Sequence, residues 1–351
     1  MGAADIAQVF VSAVQKHTKQ QIVAVASRTP GKAEAFAEKF GIQSHNNYED
    51  LLARDDIDVI YIPTLPTQHR HHALMAIAAG KHVLIEKPMA SSSAECEELI
   101  ELADQRGLTL MVGHTFIYSE SVLKIAQIVN SGDIGEIRYI NSQRLNLGLF
   151  QKDINVAWDL APHDLSIILH ILGESPTTVP CQGTAHITPG IEDVTNISLS
   201  FGPRRFATIQ SSWLEPRKVR QMTIVGTKRM IVYDDLQPTE KIRVYDVRVD
   251  RPPHYDTFGE FQYSYHYGDS YIPHLQHSEP LKVQCQHFLD CINKGTRPMT
   301  CGRRGLELVR ILEASSASLK AKGAPIAFSQ RTDSGEARLE GKRASSAPAH
   351  A

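Results

Sequence analysis

Apolar and polar positions along the first third of the chain alternate between two patterns. QIVAVA, DVIYIP, HVLIEKP and LTLMVG are short apolar runs rich in β-branched residues, as in strands buried on both faces. The segments between them carry helical spacing. KAEAFAEKFG closes on Gly41, YEDLLARDD reads as a short helix, and the stretch from Thr67 ends at Gly80. SSSAECEELIELADQRG opens with a serine cap and an acidic first turn and stops at Gly107. Strand and helix in turn predict an α/β fold: a doubly wound parallel sheet covered on both faces.

The period changes after Ser119. SVLKIAQIVNSG reads as a helix, EIRYINSQRL as a long strand, and AWDLAPHDLSIILHILG (157–173) as an apolar helix. From 178 to about 246, TNISLSF, FATIQSSW, RQMTIVG, RMIVYDD and KIRVYDV alternate apolar with polar residues, predicting a large, mostly antiparallel sheet with one solvated face. Helices over 279–294 and 301–322 close the pattern. The expected organisation is a Rossmann domain over 1–118, an α+β substrate and oligomerisation domain over 119–328, and a polar, disordered tail over 329–351.

A length of 351 residues agrees with two domains. The formal net charge of -2 argues against nucleic acid and anionic membrane surfaces as partners. No apolar run reaches the roughly 18 residues of a membrane span, and no export signal opens the chain. The five cysteines are scattered without a C-x-x-C pair, the pattern of reduced thiols in a cytoplasmic protein.

Gly2, Ala4 and Ala7 fit the spacing of the dinucleotide-binding turn G-x-G-x-x-G/A, with alanine at the last two positions. Such a turn lets backbone N–H groups at a helix start approach a pyrophosphate. At the end of QIVAVAS, where an NAD site usually carries an acidic residue, the chain has Ser27 and Arg28, with Lys32 close behind. A hydroxyl and two cations suit a 2′-phosphate and favour NADP over NAD; the alternative is a pair of solvated helix charges. The turn should follow a central strand, and none precedes Met1. The expectation is therefore that the native protein has roughly six to ten more residues ending in an apolar strand.

Glu86, Lys87 and Pro88 stand at the carboxyl end of a parallel strand, where open α/β sheets bind ligands. Asp159 and His163 are four residues apart and share one helix face. Histidine titrates nearest neutral pH and suits a general base, and a nearby carboxylate can orient it and stabilise its charged form. The plainer readings are a helix cap for Asp159, with Pro162 in the first turn, and a surface position for His163.

EKPMA, the D-x-x-x-H of WDLAPHD, GAADIA, SRTPGKAEAFAEKFG, PTLPTQH and VGHTFIYS together resemble the Gfo/Idh/MocA oxidoreductases over about residues 2–325. The alanines of the turn and the absent strand depart from that pattern. The resemblance implies NAD(P)-dependent oxidation or reduction of a carbinol carbon, usually on a sugar or cyclitol. It implies Lys87, Asp159 and His163 as catalytic residues. It also implies cofactor contacts at Gly2, Ile6, Ser27, Arg28, Pro63, His69, Glu86 and Lys87. DINVAWDLAPHDLS looks nearest to members acting on UDP-sugars at C3; inositol or a free sugar is the alternative substrate. A non-catalytic, cofactor-binding regulatory protein is the rival of another class. A homodimer or homotetramer is expected by analogy with the family.

Weaker candidates remain. His114, Phe116 and Tyr118 could line the pocket, or the two aromatics could be core. Arg144, Asn146 and Lys152 could grip an anionic group, or lie in a solvated loop. Asp164 reads as a secondary contact or a solvated charge. YSYHYGD, from Tyr263 to Asp269, could rim the site or pack between subunits. His69, His71 and His72 lack further ligands nearby, so no metal is expected and a helix surface is the plainer reading.

Overall fold

The computed structural model describes residues 2, 5–17, 21–250, 263–276 and 278–328. Ala4 of the expected turn and the tail at 329–351 lie outside them. The first half runs α1 (Asp5–His17), β1 (Ala24–Ala26), α2 (Lys32–Phe40), β2 (Gln43–His45), α3 (Tyr48–Leu52), β3 (Val59–Ile62), α4 (Pro66–Ala78), β4 (His82–Ile85), α5 (Ser93–Gln105) and β5 (Leu110–Val112). The helix boundaries follow their local chemistry. Gly41 takes the left-handed conformation that ends α2, and the Ser92 hydroxyl accepts the Glu95 N–H at 3.3 Å to start α5.

All pairings in this half are parallel, but they form two pieces, β1-β2 and β3-β4-β5. An apolar cavity of about 240 Å³ lies between β1 and β3, lined by Val25, Tyr61, Phe10, Val14, Leu84 and Phe288 among others. Among the described residues, no strand joins the two pieces. The Gly2 N–H donates to the Ala26 carbonyl at 2.8 Å, so the chain start meets the end of β1.

A 3-10 turn (Thr115–Tyr118) leads into α6 (Glu120–Asn130), β6 (Ile137–Leu147), α7 (Val156–Leu172), β7 (Thr178–Val179), β8 (Cys181–Thr184), β9 (Val194–Ser200) and β10 (Phe206–Ser212). Then follow β11 (Leu214–Gly226), β12 (Met230–Asp234), β13 (Ile242–Asp250), β14 (Ser264–Tyr271), α8 (Pro280–Lys294), α9 (Gly302–Lys320) and β15 (Ile326–Ala327). The strands form one sheet in the order β14-β13-β12-β11-β6-β10-β9-β7-β15, with β8 also on β9. Only β10 on β6 is parallel in it. The apolar alternation puts Ile197, Leu199, Ala207 and Ile209 on the covered face, against α7.

α7 differs from its expected form in two ways. Its N-cap is Asn155, whose Oδ1 accepts the Trp158 N–H at 3.2 Å, so Asp159 is not the cap. Pro162 therefore lies inside the helix rather than in its first turn, and the i−4 carbonyl it faces, on Trp158, receives no N–H from it. The run YSYHYGD forms most of β14, a sheet-edge strand.

Candidate active site

Lys87 leaves the carboxyl end of β4 through a cis Lys87–Pro88 bond. Its Nζ crosses to α7 and donates to the Asp159 carbonyl at 2.9 Å, with Asp159 Oδ1 at 3.8 Å. Burial pushes the Lys87 ammonium below its ordinary pKa, and Asp159 and Glu86 oppose that shift. Asp159 Oδ2 accepts the Trp213 Nε1–H at 3.1 Å. The carboxylate is thus held between an amine of one half and an indole of the other.

His163 sits one helical turn on. Its ring meets Phe116 edge-on, with centroids 5.1 Å apart and planes at 67°. Among the described residues, no carboxylate is hydrogen-bonded to this imidazole, and the expected Asp159–His163 pairing is absent. Desolvation, then Lys87, Arg144, His114 and Arg220, hold His163 well below its ordinary pKa. This environment favours the neutral imidazole over the imidazolium.

Asp164 carries a different partner. Arg144 Nε donates to Asp164 Oδ2 at 2.7 Å and Nη2 to Oδ1 at 3.3 Å, while Ser142 Oγ donates to Oδ1 at 2.8 Å. Both side chains of this ion pair are 6% exposed. Arg144 therefore lies in a strand, bound, rather than free in a loop to grip an anion. Its guanidinium carbon stands 4.8 Å over the Phe116 ring. Asn146 is partly exposed near the end of β6, and Lys152 is exposed. Tyr118 is fully buried, its hydroxyl 3.0 Å from Thr300 Oγ1, which removes it from the cleft. His114 is 3% exposed, with neither ring nitrogen partnered, and burial lowers its pKa to about 4.

The residues expected to meet a cofactor collect where β1, β3 and β4 end. Gly2 has φ of 105°, and a Cβ there would lie 2.8 Å from Thr64 Cγ2. Backbone this close to two strand ends, followed by a helix start, fits a pyrophosphate. The exposed Asp5 carboxylate in the same turn opposes an anion there. Ile6 is exposed, Pro63 buried, and the Ser27 hydroxyl accepts the Thr29 N–H at 3.2 Å. Arg28 is exposed, 3.3 Å from Gln68 Oε1 and 5.6 Å over the Tyr48 ring; Lys32 is exposed at the start of α2.

Glu86 accepts the Tyr61 hydroxyl at 2.7 Å, and burial raises its pKa. His69 is buried with its ring nitrogens 2.8 Å from the Pro88 and Thr64 carbonyls, so it ties down the EKP turn. His72 is buried as well, and only His71 of that trio is exposed, which corrects the helix-surface reading. Among the described residues no metal-ligand cluster is present, and no helix is long and apolar enough to cross a membrane.

Trp213 and Tyr61 carried no weight in the sequence reading. A tryptophan closing an alternating strand needs a partner for its N–H, and that requirement was a usable signal. Tyr61 stood inside an apolar run and gave none.

Comparison with known proteins follows the same division. The family described as "Oxidoreductase family, NAD-binding Rossmann fold" matches residues 1–114, and the GFO/IDH/MocA C-terminal domain matches residues 122–232. The chain belongs to the Gfo/Idh/MocA oxidoreductases. It is 38% identical over 144 residues to dTDP-3,4-didehydro-2,6-dideoxy-alpha-D-glucose 3-reductase of Streptomyces violaceoruber, a match covering 40% of this chain and 42% of that protein. The chain thus spans less than half the length of that relative. An uncharacterized oxidoreductase of Bacillus subtilis (strain 168), YrbE, is 26% identical over 93% of this chain and 95% of its own. Among solved structures, UDP-N-acetylglucosamine 3-dehydrogenase GnnA from Acidithiobacillus ferrooxidans superposes with a TM-score of 0.74 at 23% identity, covering 92% of this chain and 97% of that one.

Proposed function

We propose that the protein is an NAD(P)-dependent dehydrogenase acting at a ring hydroxyl of a nucleotide-linked sugar, with NADP favoured. The observation that carries this reading is the Lys87 amine, from the nucleotide-binding half, bonded to the helix that carries a neutral His163. A nicotinamide cofactor held by residues at the ends of β1, β3 and β4 would supply hydride acceptance from a carbinol carbon. His163 accepts the hydroxyl proton, which a neutral imidazole can do and an imidazolium cannot. Lys87 donates to the same oxygen and stabilises its developing negative charge. Asp159 keeps that ammonium charged and placed, and Trp213 fixes Asp159. Arg28 and Lys32 are exposed beside the end of β1, the charge a 2′-phosphate needs. The names of the reductase and of GnnA, both acting at C3 of a nucleotide sugar, support the substrate class. A homodimer or homotetramer is part of the same reading; sedimentation of the full chain tests it.

A panel of UDP-N-acetylglucosamine, dTDP-glucose, free glucose and myo-inositol, each with NADP⁺ and NAD⁺, tests the class by formation of reduced nicotinamide. Lys87→Ala and His163→Ala should each lower kcat by at least about 100-fold. Cofactor affinity, read by fluorescence titration, should hold. Turnover retained in both variants refutes the assigned roles.

A further inference from the structure

Among the described residues, the imidazole of His163 has no carboxylate to orient it, because both acidic residues near it are engaged elsewhere. Asp159 faces Lys87 and Trp213, and Asp164 faces Arg144 and Ser142. Among the described residues, the aromatic contact that holds the ring is the edge-on meeting with Phe116. Phe116 is in turn capped on its face by the Arg144 guanidinium at 4.8 Å. That guanidinium cannot swing, since a two-point bond to Asp164 fixes its plane. Asp164 is the next residue to His163 on α7, so brace and base stand on the same helical turn.

We propose that the buried Arg144–Asp164 ion pair, acting through the Phe116 ring, is the positioning device that fixes the His163 imidazole. Arg144, Asp164 and Phe116 are positioning residues and do not touch the reacting atoms. A buried ion pair is a poor source of stability, since desolvation offsets its attraction, but it holds one geometry where an apolar pair would slide. The arrangement also gives the base a cationic neighbour. The titratable and charged groups facing His163 are Lys87 from the β4 turn, Arg144 from β6, His114 beyond β5 and Arg220 from β11. All four disfavour its protonation, and the two aspartates of α7 are paired with cations.

The inference rests on the reading of His163 as base, but its first readout, the imidazole spectrum, does not need a substrate. His163 is followed by imidazole NMR in the full chain with NADPH bound, against Arg144→Met/Asp164→Asn and Phe116→Leu. The double variant removes both charges together and leaves no lone buried ion. In the double variant the His163 titration should move to higher pH, and the ring-current shift from Phe116 should collapse. Phe116→Leu keeps the ion pair, so it should abolish the ring-current shift and leave the titration low. If UDP-N-acetylglucosamine is turned over, both variants should lose kcat by about tenfold or more, with KM for the cofactor unchanged.

A double variant with the native titration and native ring shift overturns the proposal. Should the double variant not fold, Phe116→Leu decides, and native kcat in it is equally fatal. No reduced nicotinamide from any member of the sugar and cyclitol panel defeats the dehydrogenase reading alone and leaves the imidazole titration interpretable.

Discussion

At the Lys87 amine, two opposing effects meet: burial lowers its pKa and the Asp159 carboxylate raises it. Asp159→Asn keeps the backbone carbonyl that accepts the Lys87 N–H, but removes the anion. The folded-state pKa of Lys87 should then fall further. The basic limb of the pH profile of kcat/KM should move to lower pH, with kcat down about tenfold. An unmoved basic limb would show that Lys87 is not the group titrating there. His114 bears on stability instead. Its folded pKa of about 4 lies below the ordinary value of 6.5, so the unfolded chain binds its proton more tightly. The stability it supports is complete above about 6.5 and is lost as pH falls towards 4. Near pH 5 the loss amounts to about 2 kcal/mol. His114→Gln should flatten the fall in urea midpoint between pH 7 and pH 5, and a variant with the native slope would contradict this. A strand end and an i,i+4 spacing singled out Lys87, Asp159 and His163 as candidates, and the resemblance to the family implied their roles; the structure adds that Lys87 meets Asp159. Their pairing was not legible. Whether Asp159 turns to an imidazole or to an amine depends on where Trp213 lands, some fifty residues later and from another element.

Helices and strands were mostly readable from period and punctuation, since Gly41, Gly107 and Ser92 mark boundaries through local backbone chemistry. The true start of α7 was hidden because Asn155 and Asp159 are both credible caps, and only the Asn155 bond to the Trp158 N–H decides between them. The short β2 escaped notice because QSH has neither apolar run nor alternation; it is a strand through its pairing with β1. Close approach between elements is a further property that periodicity cannot report. α9 lies on the nucleotide-binding half through its glycines. A Cβ on Gly305 would fall 2.7 Å from Val112 Cγ2 and 3.1 Å from Met89 Sδ. One on Gly302 would fall 2.9 Å from Ile100 Cγ1. Gly305→Val should therefore overpack the α9–β5 contact and cost about 1–3 kcal/mol, lowering the urea midpoint at constant m-value. An unchanged midpoint would mean that the contact is looser than these distances state.

The two halves share one apolar core, and this governs how the whole molecule comes apart. Phe10, Val14, Leu84 and Met111 from the nucleotide-binding half belong to the same buried cluster as Ile140, Leu165, Ile209, Phe288 and Leu312. A shared core of this kind favours a single cooperative transition over separate melting of two domains. The alternative has a specific physical source. The parallel sheet is in two pieces across an apolar cavity of about 240 Å³, and missing packing there weakens one side of the molecule only. The tryptophans discriminate between these outcomes. The chain has two, Trp158 on α7 and Trp213 after β10, both in the second half. Trp213 reports the second half and Trp158, which also packs against the apolar cluster of the nucleotide-binding half, reports the seam between the halves, whereas far-UV circular dichroism also sees α1 to α5. Thermal or urea unfolding followed both ways should give superimposable curves. A dichroism transition that begins before the fluorescence moves would show that the split sheet melts first and that the shared core does not couple the halves.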